Sequence, residues 1–225
     1  MKASILTVAV ATALSAFANQ AAASPFALSS YSAAFTYQDK LGATTMTSAF
    51  DGTSYWSTSG GDVSGTRLAR YGAAGNLLTT YSPGLDFRSV FTDAAGNVHA
   101  RQFNDNTIYN MTSPGVFAAG ISLAGPLDGQ SAVVYNSGFS GFVALDENLS
   151  AVRKWDLSGN SLGSTALIGF GSQFGENSFP QNRGLAVWGQ YWLTYSAGNL
   201  SAWDSGGNRV GTTQLVGAGT SFDSN

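Results

Sequence analysis

The 225-residue sequence predicts an all-β fold, a β-propeller-like array of at least four four-stranded blades. Three observations predict it. A hairpin signature recurs at blade spacing. Two further strand-like runs precede each copy of it. No window of 11 or more residues beyond the first 23 keeps the 3.6-residue apolar period of a helix.

The signature is clearest around Trp155 and Trp203. In both copies an aliphatic residue lies three positions before the tryptophan, a glycine four after it and an asparagine five after it: Val152, Gly159 and Asn160, then Leu200, Gly207 and Asn208. The same frame finds Leu68, Tyr71, Gly75 and Asn76, and a looser copy at Ile108, Met111 and Gly115, where Val116 replaces the asparagine. The anchors Tyr71, Met111, Trp155 and Trp203 are 40, 44 and 48 residues apart, the period of propeller blades. Each copy reads as a hairpin. The aliphatic and the anchor lie on one strand, and Gly-Asn supplies the left-handed backbone of a tight turn. A second strand follows, at residues 77–81, 161–168 and 209–216.

Upstream of each hairpin lie two more runs. The first ends in an aromatic, at Phe50, Phe91, Tyr135 and Trp188; the second covers residues 55–58, 98–103, 142–145 and 191–195. Short β-rich runs bounded by Gly, Asn, Asp and Ser are strands, and four per repeat make a blade. Repeats fall at about 47–87, 88–131, 132–184 and 185–220. Ser221, Phe222 and Asp223 match Ala49, Phe50 and Asp51, so a further repeat begins at 221–225. Residues 24–46, with Phe35 and Tyr37, read either as a strand that closes the ring or as the remnant of another blade. On the second reading the ring is incomplete, and bare blade faces would favour self-association. A β-sandwich shares the strand spacing but does not predict the recurring turn register.

The N-terminus reads as a secretory leader. Lys2 is followed by an uncharged apolar run over residues 5–17, too short to span a bilayer, and by Ala21 and Ala23 at the positions a signal peptidase reads. Cleavage after Ala23 leaves residues 24–225 as one domain in the periplasm or outside the cell, enough chain for one substantial core. There is no cysteine, so disulfides and thiolate chemistry are excluded. With ten basic residues against thirteen acidic ones and no basic cluster, neither nucleic acid nor an anionic membrane surface is an expected partner.

Trp155-Asp156 and Trp203-Asp204, each followed by a Gly-Asn turn, resemble bacterial exported propellers of the NHL and WD40-like class over about residues 47–217. The Gly-His pair of true WD40 repeats is missing. The resemblance implies architecture and no particular activity.

Catalytic constellations are sparse. His99 is the single histidine, so a site with two or three histidine ligands is impossible. It reads as a strand histidine with a structural hydrogen bond. Asp51, Asp93, Asp156, Asp204 and Asp223 recur at turns, where aspartate caps backbone amides; no calcium loop is present, and no metal or other cofactor is expected. The longest insertion, residues 169–183, carries Phe170, Phe174, Glu176, Phe179 and Arg183. It joins one blade to the next, on the same rim as Asp86 and Arg88. Loops on a rigid scaffold carry binding residues, so these seven form the candidate ligand site. The expectation is a non-enzymatic binding or scaffold module presenting that rim to a carbohydrate or protein. The alternative is an extracellular propeller enzyme, a lyase or glycosidase. It would need His99, Arg101, Arg88 and Arg183 to converge in the central channel.

Overall fold

The computed structural model describes residues 24–32, 45–61, 68–146, 149–170, 185–196 and 198–216. The leader, Phe35, Tyr37, Phe174, Glu176, Phe179, Arg183 and the restart at 221–225 lie outside them.

All regular structure among the described residues is β. The first blade is β2 (Thr45–Phe50), β3 (Ser54–Ser59), β4 (Leu68–Gly72) and β5 (Leu77–Tyr81). The second is β6 (Phe87–Thr92), β7 (Val98–Gln102), β8 (Thr107–Ser113) and β9 (Val116–Ser122). The third is β10 (Val133–Asn136), β11 (Gly141–Asp146), β12 (Ala151–Asp156) and β13 (Ser161–Ala166). The fourth is β14 (Ala186–Trp188), β15 (Tyr191–Ser196), β16 (Asn199–Trp203) and β17 (Arg209–Val216). Within each blade the strands pair antiparallel in sequence order. The sheets follow one another around a ring, with β2 packed on β6, β6 on β10 and β10 on β14. This is the four-bladed propeller architecture the repeats predicted.

The period-2 alternation of strands explains the repeat signature. Side chains three positions apart point to opposite faces. Ile108 and Trp155 therefore meet from neighbouring blades, in a cluster with Phe91, Leu123, Val133 and Phe142. Val152 and Trp203 meet in the next cluster, with Leu145, Leu167, Phe170 and Trp192. Leu68 and Trp56 of the first blade pack against Phe87, Val90 and Met111 of the second. The anchors Tyr71, Met111, Trp155 and Trp203 occupy β4, β8, β12 and β16, one per blade. The fully buried indoles find hydrogen-bond partners: Trp155 Nε1 donates to Ala124 O at 2.8 Å and Trp203 Nε1 to Thr194 Oγ1 at 2.9 Å.

The aspartates cap turns. Asp156 Oδ1 accepts from the amides of Ser158 and Asn160, both at 2.9 Å, and its Oδ2 from Asn160 Nδ2 at 3.0 Å. Asp204 repeats the pattern with Gly206 and Asn208, and Asp93 with Ala95 and Asn97.

The fourth sheet has a fifth strand. β1 (Ser30–Ser32) pairs parallel with β17, outside the four strands of the blade. β1 thus flanks a blade that already has its four strands, added at its outer edge. Antiparallel order puts the first-to-second and third-to-fourth hairpins at one rim. The second-to-third connections and the blade-to-blade crossings lie at the other, called the open rim below.

Candidate functional site

Asp86 and Arg88 stand at the start of β6 on the open rim. Arg88 Nη1 donates to Asp86 Oδ1 at 2.6 Å and to Phe87 O at 2.7 Å. Its guanidinium lies over the Phe103 ring, 4.6 Å from the centroid. Asp86 Oδ1 also accepts from Gly61 N at 2.8 Å, fastening the first blade's second-to-third connection onto the second blade. The residue before it is glycine because a Cβ at Gly60 would collide with the Arg88 guanidinium and the Phe87 carbonyl. Arg88 is 5% exposed, and its Nε is buried without a partner among the described residues.

Phe103 is 38% exposed. It begins the connection from β7 to β8, followed by Asn104 in the left-handed region at φ 51°. Gly129, in the crossing from β9 to β10, approaches so closely that a Cβ there would collide with the Asn104 side chain. Behind this surface Arg101 is fully buried and donates to four main-chain carbonyls. Nε reaches Asp105 O at 2.8 Å, Nη1 reaches Gly129 O at 3.1 Å and Ser131 O at 2.5 Å, and Nη2 reaches Asp128 O at 3.0 Å. Burial pulls its pKa down to about 10, against the Asp128 and Asp105 charges that raise it, with Arg88 lowering it further. Asp105 accepts from Gln102 Nε2 at 2.9 Å, Tyr109 OH at 2.6 Å and Thr107 N at 2.7 Å. Burial raises its pKa, and these hydrogen bonds overcome that effect and hold it at about 2.

The structure brings Asp86 and Arg88 together and adds Phe103, Asn104 and Gly129, which sequence reasoning missed. The available signal was the polar run Asn104, Asp105, Asn106 directly after an aromatic strand end. Phe170 stands elsewhere on the ring, buried between the third and fourth blades with its ring edge-on to Trp203 at 6.0 Å. The crossing that holds residues 169–183 leaves β13 and re-enters β14 at the open rim.

Among the described candidates Arg88 and Arg101 lie close to one another, and His99 stands apart from them. His99 pairs with Phe91, three residues along β6 from Arg88 and so about 10 Å away. It stacks on that ring at 5.4 Å. Its Nδ1 faces Asn110 Oδ1 at 2.8 Å and its Nε2 faces Asp93 Oδ2 at 3.3 Å, at the hairpin rim. His99 thus lies on β7 with a side-chain hydrogen-bond partner at each ring nitrogen.

No family model and no curated protein sequence matches the chain. Solved structures do resemble it. A structural genomics protein of unknown function from Bacteroides thetaiotaomicron matches at 19% identity with a TM-score of 0.50, over 70% of this chain and 44% of that one. A catalytically inactive virginiamycin B lyase from Staphylococcus aureus, solved with quinupristin, matches at 13% identity with a TM-score of 0.46, over 80% of this chain and 58% of that one. The chain thus spans about half the length of these structures, and the likeness is one of fold.

Proposed function

We propose that the chain is an exported, non-enzymatic binding module whose open rim meets a carbohydrate or protein ligand around Phe103, Asp86 and Arg88. One observation carries the reading: an exposed aromatic ring rests on a guanidinium that is itself clamped by a carboxylate. The ring is held in place from beneath and offers its outer side to solvent. An apolar sugar face or a side chain can lie against it, while Asp86 and Asn104 offer polar groups at its margin. By chain connectivity the link from β13 to β14 belongs to the same rim, so Phe174, Glu176, Phe179 and Arg183 would extend the contact, with Phe170 anchoring the start of that link.

The test is a glycan and peptide array probed with the wild type, with Phe103→Ala and with a Phe174→Ala, Arg183→Ala double variant. A ligand lost by Phe103→Ala at an unchanged melting temperature supports the reading. A ligand bound equally by all three proteins places the site elsewhere. Export with removal of residues 1–23 is tested by intact mass of the periplasmic or secreted protein, expected to begin at Ser24; a form outside the cytoplasm that retains Met1 overturns the cleavage, and protein confined to the cytoplasm overturns the export.

A further inference from the structure

The outer edge of the fourth blade is built unlike the other three. β5, β9 and β13 each end their sheets, whereas β17, the longest strand, carries β1 in the register Ser30 to Gln214, Tyr31 to Leu215 and Ser32 to Val216. One main-chain and one side-chain hydrogen bond extend the pairing: Gln214 N donates to Ser29 O at 3.0 Å, and the Thr213 hydroxyl donates to Leu28 O at 2.9 Å.

An aromatic anchor precedes the strand. Phe26 is buried and stacks on Trp188 at 5.9 Å and 18°, with Tyr31 edge-on to it at 6.4 Å. The floor beneath is bare because β17 has Gly211 there. A Cβ on Gly211 would stand 2.5 Å from Ser24 Oγ, 2.9 Å from Pro25 Cδ and 3.3 Å from Phe26 Cδ2. Main-chain pairing along a sheet edge plus a pocket for one side chain is the way a sheet recognises an extended peptide.

All of these partners lie in the fourth blade, whereas the segment continues in sequence into the first. We propose that the β17 edge, with Trp188 and Gly211, is a strand-docking site, filled in the monomer by residues 24–32 of the same chain and able to take that segment from a second copy. Exchange of an identical segment conserves each contact and so costs little. Covalent attachment gives the chain's own segment an effective concentration in the millimolar range. The exchanged form therefore gains as protein concentration rises. The parallel direction suits both arrangements, since β1 and β17 end at the open rim where β2 starts.

The chain has no cysteine, so a Ser30→Cys, Gln214→Cys pair reports the partner directly. Oxidation after refolding at low concentration is expected to give a cross-linked monomer, and refolding at rising concentration a growing share of covalent dimer. A labelled peptide of residues 24–32, SPFALSSYS, is expected to bind full-length Phe26→Ala at least tenfold more tightly than wild type. Adding Gly211→Val to that chain is expected to weaken the peptide at least tenfold, since valine suits a strand but fills the pocket. Cross-linked monomer at every concentration overturns the exchange. Peptide binding indifferent to Gly211→Val, or absent from a Phe26→Ala chain that melts cooperatively, overturns the docking site.

Discussion

The amide of Ile168, just past the outer strand of the third blade, donates at 2.8 Å to the carbonyl of Gly207 in the hairpin of the fourth. Ala124 and Gly159 make the same bond one blade earlier, also at 2.8 Å. Gly159 and Gly207 thus each close their own turn and receive the preceding blade. Gly159 and Gly207 have φ of 83° and 81°, and a Cβ on either would run into a carbonyl of that blade, Ser122 or Ala166.

Gly207→Ala is therefore expected to cost about 2 kcal/mol or more, from left-handed strain and a backbone collision together. For a domain of this size that lowers the melting temperature by roughly 4–8 °C. Gly163→Ala is the control. Its φ is 82°, but nothing lies within 4 Å of its Cβ position, so strain alone should cost about 1 kcal/mol. Calorimetry giving equal losses for the two variants would remove the inter-blade role.

Trp155→Ala is expected to cost about 3–5 kcal/mol, because the indole is buried between two blades and leaves both a cavity and an unpartnered Ala124 carbonyl. Trp188→Ala should cost under about 1 kcal/mol, since that ring is 49% exposed; urea titration of both variants makes the comparison. Comparable losses would mean that the anchor position is not what binds the blades.

This contrast marks what was legible in the sequence. Leu68 with Tyr71 and Val152 with Trp155 declare opposite strand faces by their odd spacing, and the glycine after each declares the turn; those features are local. Asp86 and Arg88 were legible as rim residues because both flank a crossing. Phe103 was not, since its placement depends on Arg88 and on the crossing that holds Gly129. Phe26 was not either, because its segment meets β17 across 185 residues, as Leu28 with Thr213 shows. No periodicity within residues 24–46 encodes such a contact.

Acid sensitivity should map to Asp105. Its folded pKa of about 2 lies below the ordinary carboxyl value of 3.8. A depressed folded value means that the ionised form favours the native state. That contribution is complete above pH 4 to 5 and drains away as pH falls from there toward 2. Urea midpoints for the wild type should drop between pH 5 and pH 2.5. Asp105→Asn should start lower at pH 5 and lose less over the interval. Parallel pH profiles for the two proteins would assign the acid sensitivity to other carboxylates, of which Asp51, Asp93, Asp156 and Asp204 are also lowered by turn hydrogen bonds.

Arg101 tests whether the open rim is held from behind. Its planar guanidinium spans four carbonyls in two segments, joining the end of β7 to its own turn and to the crossing that contains Gly129. A lysine keeps the charge but has three donors on one nitrogen, which cannot reach carbonyls spread around a fork. Arg101→Lys is therefore expected to lose about 3 kcal/mol, since buried carbonyls are left unsatisfied and an ammonium is left in their place. The same variant should raise hydrogen exchange in residues 103–106 and 128–131 before the rest of the second blade opens. Exchange that rises uniformly would show a global loss of stability and no special support for the rim. Exchange confined to those two segments would identify Arg101 as the residue that positions Phe103 and Asn104 for a ligand, from a site the ligand never touches.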